Sequence, residues 1–81
     1  MNEQAQLPEV SFAEKMAKFA ASSQAYQNMN SALMLVGLAA CRFEADPCPH
    51  HFTWMQTAVD EYRAAQAEWE TATAEFQEVA R

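Results

Sequence analysis

Hydrophobic residues recur every three or four positions along two long segments of the chain, which predicts two amphipathic helices. In the first segment, Ser11 and Glu14 have capping-box spacing, so we place the start of the first helix there. The apolar face predicted for this helix consists of Phe12, Met16, Phe19, Tyr26 and Leu33, with Met29, Val36 and Ala40 slightly offset.

The second segment has the more regular period, with steps that alternate between three and four residues. Before it, Pro47 and Pro49 interrupt the helical pattern, because proline is tolerated only in the first turn of a helix. Asp46 is a suitable N-cap with Pro47 behind it, so we expect a turn at 43–46 and a second helix from about 47. Its predicted contact face is Phe52, Met55, Val59, Tyr62, Gln66, Trp69, Thr73, Phe76 and Ala80, flanked by Ala65, Ala72 and Val79.

A short turn between two long helices makes them antiparallel neighbours, so the predicted fold is all-α, an antiparallel two-helix hairpin. Residues 1–10 are expected to form a polar tail, and residues 11–81 a single domain. Asn28, Asn30 and Ser31 are weak helix formers, and a break there would give three helices instead. A hairpin of this size is expected to be completed as a bundle by dimerisation or by a partner.

The half of the hairpin near the turn has more apolar residues than one contact face can cover. Leu35 lies about 160° round the helix from Leu33, so both cannot face the second helix. On the second helix, Trp54 lies well to the side of Phe52. We therefore predict a partner-binding patch, and its residues are Met34, Leu35, Leu38, Trp54 and Met55.

The chain carries eleven acidic residues and five basic ones, a net charge of −6. Its basic residues form no stripe, so we expect neither direct nucleic-acid binding nor attraction to anionic membranes. No signal peptide is visible, and the longest apolar stretch, 32–41, is about half the length needed to cross a bilayer. We therefore expect a cytoplasmic protein.

Acidic residues of the second helix project on one side, away from the apolar face. This acidic stripe could imitate a row of phosphates and occupy a nucleic-acid site on a basic partner. The simpler interpretation is a solvated helix face. The stripe consists of Asp60, Glu61, Glu68, Glu75 and Glu78.

Zinc-ligand residue types cluster around the turn, namely Cys41, Cys48, His50 and His51. Their spacing matches no standard zinc motif, so we expect no metal and no cofactor, although the residue types leave a site open. The simpler expectation is that Cys41 is buried between the helices and Cys48 is exposed. No acid is placed to orient a Cys–His pair, and no glycine-rich loop is present, so we expect no catalytic residues and no enzyme.

The segment Pro49–Gln56, followed by Ala58 and 62–65, resembles the second helix of the small co-chaperones of type III secretion needles. Those proteins are acidic helical hairpins that bind a larger chaperone. Small phage-encoded inhibitors are similar in size, acidity and helicity but share no motif with the chain. Both likenesses rest on generic helical positions, so we assign no family.

Together these features predict a small acidic protein-binding module that inhibits, sequesters or chaperones a partner protein. One alternative is a structural homo-oligomer, at its simplest a homodimer that forms a four-helix bundle without any other partner. A second alternative is a nucleic-acid mimic that acts through the acidic stripe.

Overall fold

A computed structural model of the chain describes residues 11–81, so the tail predicted for 1–10 lies outside the described residues. Within residues 11–81 the chain forms two α-helices and no strands. Helix α1 spans Phe12–Ala45 and helix α2 spans Pro49–Ala80. Contacts that pair early residues of α1 with late residues of α2 make the helices antiparallel. The predicted all-helical hairpin is therefore confirmed.

Helix α1 begins where the capping spacing predicts. The backbone N–H of Glu14 donates to the Ser11 hydroxyl over 3.1 Å, which satisfies one of the free amides of the first turn. The helix then runs without interruption through 28–31, so the three-helix alternative is wrong. The Gln24 side-chain amide donates to the Asn28 side chain over 3.0 Å, and such pairs one turn apart support a helix at weak positions.

The turn lies slightly later than predicted, and Asp46 has a different role. Asp46 ends α1, where its N–H donates to the Arg42 carbonyl, and Cys48 is the N-cap of α2 with Pro49 in the first turn. Each proline disfavours helical backbone in the residue before it, which explains why α1 stops at Asp46 and why Cys48 is extended. Of the two prolines that could open α2, the second does so.

The contact between the helices follows a strict alternation of three- and four-residue steps. Each helix places an alanine at every seventh residue along this contact, and Ala25, Ala39 and Ala58 are the buried residues of 11–81. The contact row of α1 is Lys15, Lys18, Ser22, Ala25, Met29, Ala32, Val36, Ala39 and Phe43. The contact row of α2 is Cys48, His51, Met55, Ala58, Tyr62, Ala65, Trp69, Ala72, Phe76 and Val79.

Met29 and Val36 lie in the contact row as predicted, but the other residues of the face predicted for α1 are displaced from it by one residue, or about 100° round the helix. Phe19 and Tyr26 each follow a residue of the contact row and lie at the edge of the contact, where both remain about half exposed. In α2 the large contact residues Met55, Tyr62, Trp69 and Phe76 are placed as predicted, and alanines complete the row. The predicted residues Val59, Gln66 and Thr73 are half-buried beside it, whereas Phe52 and Ala80 are exposed. The physical reason is size, because small side chains of α1 leave room for the aromatic rings of α2.

Side chains at the edges of the contact set the register of the two helices. The rings of Phe19 and Phe76 lie 5.5 Å apart, and those of Tyr26 and Trp69 lie 6.0 Å apart. These pairs are separated by seven residues on both helices, so the pairing repeats with the alanine rows. Near the same end, the hydroxyls of Ser22 and Thr73 are 3.1 Å apart and share a hydrogen bond.

Replacement of a buried alanine should push the helices apart. Ala39 has no exposed surface, so we expect Ala39→Leu to lower the free energy of unfolding by about 1–3 kcal/mol. Ala40 is exposed, so the matched control Ala40→Leu should change stability by less than about 0.5 kcal/mol. Chemical denaturation followed by circular dichroism compares the two variants, and equal effects would contradict the contact row described here.

Gly37 occupies an exposed position of α1 without a structural need for glycine. Its backbone is helical, and a methyl group added there would meet no atom within 4 Å. Because glycine costs a helix about 1 kcal/mol relative to alanine, we expect Gly37→Ala to raise the melting temperature by about 4–8 °C. The reverse change Ala20→Gly, also at an exposed position, should lower it by a similar amount. A lower melting temperature for Gly37→Ala would show that this position needs glycine.

Candidate protein-binding surface

The hairpin leaves nine large hydrophobic side chains 43–77% exposed, while its buried residues are alanines. Eight of the nine are on α1, and only Phe52 is on α2. Among residues 11–81, no large side chain is fully buried. The exposed residues of α1 are Phe12, Met16, Phe19, Tyr26, Leu33, Met34, Leu35 and Leu38.

The five residues of the predicted patch differ in exposure. Met34 points away from α2 and is 76% exposed, whereas Met55 belongs to the contact row and is half-buried. Leu35 and Leu38 are each 46% exposed and lie on the side of α1 that faces away from Leu33. The structure thus gives three different environments to residues that the sequence groups together.

Trp54 lies at the edge of the helix contact, near the turn. The Arg42 guanidinium lies 5.8 Å from the centre of its ring, a cation–π arrangement that covers part of the indole. The ring of His51 lies 6.5 Å from the same indole. Trp54 is half-buried as a result, so it contributes less exposed surface than Met34 does.

The structure shows a second exposed apolar surface, which the sequence pattern did not predict to be exposed. We call it the apolar row, and it consists of Phe12, Met16, Phe19, Tyr26 and Leu33. The hydrophobic period predicts these residues in the helix contact, and the structure places them at its edge. A signal for their exposure is present in the sequence, because α1 carries no charged residue from Phe19 to Cys41, a length of roughly 33 Å.

We use the name uncharged side for the outward surface of α1 over 19–41. Solvent-exposed helix faces usually carry charged residues, and α2 follows this rule. The uncharged side includes two members of the apolar row near its middle, Tyr26 and Leu33, and extends round the helix through Met34 to Leu35 and Leu38. This surface has the composition of a face that another molecule covers.

All five residues of the acidic stripe are exposed, as predicted. Glu61, Glu68 and Glu75 are spaced by seven residues and so share one side of α2, the side on which Trp54 also lies. The Lys18 ammonium lies 3.3 Å from a Glu75 carboxylate oxygen, which reduces the negative charge at one end of the row. Asp60 and Glu78 are five helical turns apart and share the adjacent side of the helix.

The turn brings together a different set of ligand-type residues from the predicted one. Asp46, Cys48 and His51 have potential ligand atoms within 4.8 Å of one another, whereas Cys41 and His50 are outside this group. The expected burial of the cysteines is reversed, because Cys41 is exposed on α1 and Cys48 is half-buried. The sequence pattern did not indicate Asp46 as a metal-ligand candidate, because it predicted this residue to be the N-cap of α2.

Among the surface grooves along α2, two lie in the half of the hairpin near the turn. One, of about 460 Å³, is lined by Val36 of α1 and by residues 55–63 of α2. The other, of about 450 Å³, lies near the turn beside Trp54 and His50. Neither groove includes a cysteine, so neither places a thiol beside a histidine.

Comparison with known proteins finds no matching family model, curated protein or solved structure. In the part of the chain that the structure describes, neither helix has an apolar stretch long enough to cross a membrane.

Proposed function

We propose that the chain is a small, non-enzymatic protein-binding module that docks the uncharged side of α1 on an apolar surface of a partner protein. Docking would inhibit, sequester or chaperone that partner, and we place it in the cytoplasm. The observation that carries this proposal is the concentration of large exposed hydrophobic residues on one helix that lacks charge over most of its length.

The distribution of charge supports docking through α1 and not through α2. Docking removes water from the covered surface, and burial of unpaired carboxylates is costly, whereas burial of apolar side chains is favourable. The acidic residues of 46–81 can remain in water when a partner covers α1. The partner surface that fits α1 is an apolar groove, since exposed residues three, four and seven positions apart are the anchors by which a helix packs into such a groove.

A second copy of the chain is the other candidate occupant, which would make the protein a structural homo-oligomer. The same charge distribution favours this alternative. Two copies that pair α1 against α1 leave both acidic α2 helices on the outside, where their mutual repulsion is screened by salt. A four-helix bundle of this kind would cover the apolar rows of both copies.

Charges introduced on the uncharged side should prevent docking. A stoichiometric partner protein should copurify with the tagged chain, and we expect Met34→Asp with Leu38→Asp to abolish this copurification. The reason is that docking would bury each new carboxylate without a positive charge beside it. The measurement is affinity purification from the source cells, quantitative mass spectrometry and light scattering of the purified complex. The same variant should turn a homo-oligomer into a monomer if the second copy is the occupant.

The matched control adds the same charge to the other helix. Thr71 and Ala74 are exposed on α2, and Thr71→Asp with Ala74→Asp should keep the partner or the oligomeric state. Circular dichroism checks that both double variants remain helical. If the α1 variant keeps its partner and its oligomeric state while folded, docking through the uncharged side is wrong.

Mimicry of nucleic acid through the acidic stripe predicts a different response. Under our proposal, Glu68→Lys leaves the complex intact and its dissociation constant changes little between low and high salt, because the contact is apolar. A phosphate-like stripe would instead lose its partner on this change and weaken steeply with added salt. Isothermal titration calorimetry at two salt concentrations distinguishes these outcomes, with Glu70→Lys, at an exposed position outside the stripe, as a charge-matched control.

A further inference from the structure

Three residues with different side-chain chemistry lie close together at the turn between α1 and α2. Asp46 ends α1, Cys48 caps α2, and His51 lies in the first turn of α2. One carboxylate oxygen, the thiol sulfur and one imidazole nitrogen lie within 4.8 Å of one another. The group joins a thiolate, an imidazole and a carboxylate, which is a donor combination that Zn²⁺ accepts.

Backbone contacts hold all three residues in place before any ion is bound. The Asp46 carbonyl accepts from the Cys48 N–H over 2.8 Å, and its N–H donates to Arg42 over 3.0 Å. The Cys48 sulfur accepts from the His51 N–H at 3.5 Å. Pro47 and Pro49 flank Cys48 and restrict its backbone, so ordering these ligands costs little additional entropy.

The imidazole of His51 is also oriented. Its Nδ1 lies 2.8 Å from the Asp46 carbonyl oxygen, to which it donates, and 3.9 Å from an Asp46 carboxylate oxygen. The lone pair is then on Nε2, so a metal ion would bind there, with the Asp46 carboxylate rotated toward that side of the ring. A histidine that donates one ring N–H to a backbone carbonyl is the arrangement found around metal ligands. His51 is half-buried against the Trp54 ring, which limits its rotation.

We propose that Asp46, Cys48 and His51 form a Zn²⁺ site at the turn, with water in the remaining position. Tetrahedral zinc bonds of about 2.0–2.3 Å require the ligand atoms to approach by roughly 1 Å. The Asp46 side chain is 70% exposed and can make this movement by rotation. Binding converts the Cys48 thiol to a thiolate and releases its proton to solvent.

The site joins the end of α1 to the start of α2, so metal binding stabilises the hairpin. An ion that binds the folded chain raises its melting temperature in proportion to the logarithm of the free metal concentration. This effect does not depend on docking through α1. Failure of metal binding would therefore not contradict docking through α1, and failure of docking would not contradict metal binding.

The test uses Co²⁺ as a spectroscopic substitute for Zn²⁺ with the reduced full chain. We expect one Co²⁺ per chain, a sulfur-to-cobalt charge-transfer band in the near ultraviolet, visible bands of tetrahedral cobalt, and loss of these bands when Zn²⁺ is added. Cys48→Ser should abolish the charge-transfer band. His51→Ala and Asp46→Asn should weaken Co²⁺ binding at least about tenfold, since even outer-shell changes at metal sites reach that size.

The chain offers a matched control for two of the ligands. Cys41 and His50 are a second cysteine and a second histidine near the turn but outside the group, so Cys41→Ser and His50→Ala should leave the spectrum and the affinity unchanged. Serine is a good helix N-cap, so Cys48→Ser should keep its helical circular dichroism. That measurement separates a lost ligand from a lost fold.

Three results would overturn the proposal. One is the absence of a charge-transfer band at millimolar Co²⁺ in the folded chain. Another is equal loss of the band in Cys41→Ser and Cys48→Ser. The last is one Co²⁺ per two chains, which would mean that thiolates of different molecules share the ion and that the three residues of one chain do not form the site.

Discussion

Contact between the two helices depends on alanine at every seventh position of each helix. Ala39 and Ala58 are almost completely enclosed, so no larger side chain fits where they lie. Small residues allow the backbones to approach closely, and the rings of Trp69 and Phe76 then fill the space at the edges. The pairing of Phe19 with Phe76 and of Tyr26 with Trp69 follows from this arrangement.

A narrow contact made of small residues buries little apolar surface. An alanine removes far less apolar area from water than a leucine or phenylalanine does, and hydrophobic stabilisation scales with that area. The large hydrophobic residues of α1 lie beside the contact and stay in water. Two features therefore have the same cause, which is the small size of the contact residues. One is the tight fit of the two helices against each other, and the other is the apolar outer surface of α1.

The sequence was sufficient to predict two helices, their antiparallel arrangement and the cap at Ser11, because these depend on local period and local hydrogen bonds. It was not sufficient to identify the contact face of α1. Large hydrophobic residues are the usual indicator of a buried face, and here Phe19, Tyr26 and Leu33 are displaced from it by one position. The alanines at every seventh position mark the contact face of α1. Alanine is so common along this helix that these positions can be recognised only when the position of α2 is known.

The turn shows a similar limit. Two prolines separated by one residue make two helix starts equally compatible with local rules, and the choice decides whether Asp46 caps α2 or ends α1. The decision comes from packing, because Phe43 reaches the Phe52 ring at 5.7 Å only if α1 continues to that point. The grouping of Asp46 with Cys48 and His51 follows from that choice, which explains why the sequence pointed to Cys41 and His50 as well.

The linker of three residues between α1 and α2 also determines how the hairpin forms and opens. With prolines at its centre and at the start of α2, it is too short and too stiff to let one helix slide along the other by a turn. Contacts next to the linker join residues close in sequence, so their loop-closure entropy is the smallest in the molecule. We therefore expect folding to start at Phe43 and Phe52 and to proceed toward the other end of the hairpin. We expect opening to start at the far end, next to the ion pair of Lys18 and Glu75, so that Phe12 and Met16 are the first residues of the apolar row to move.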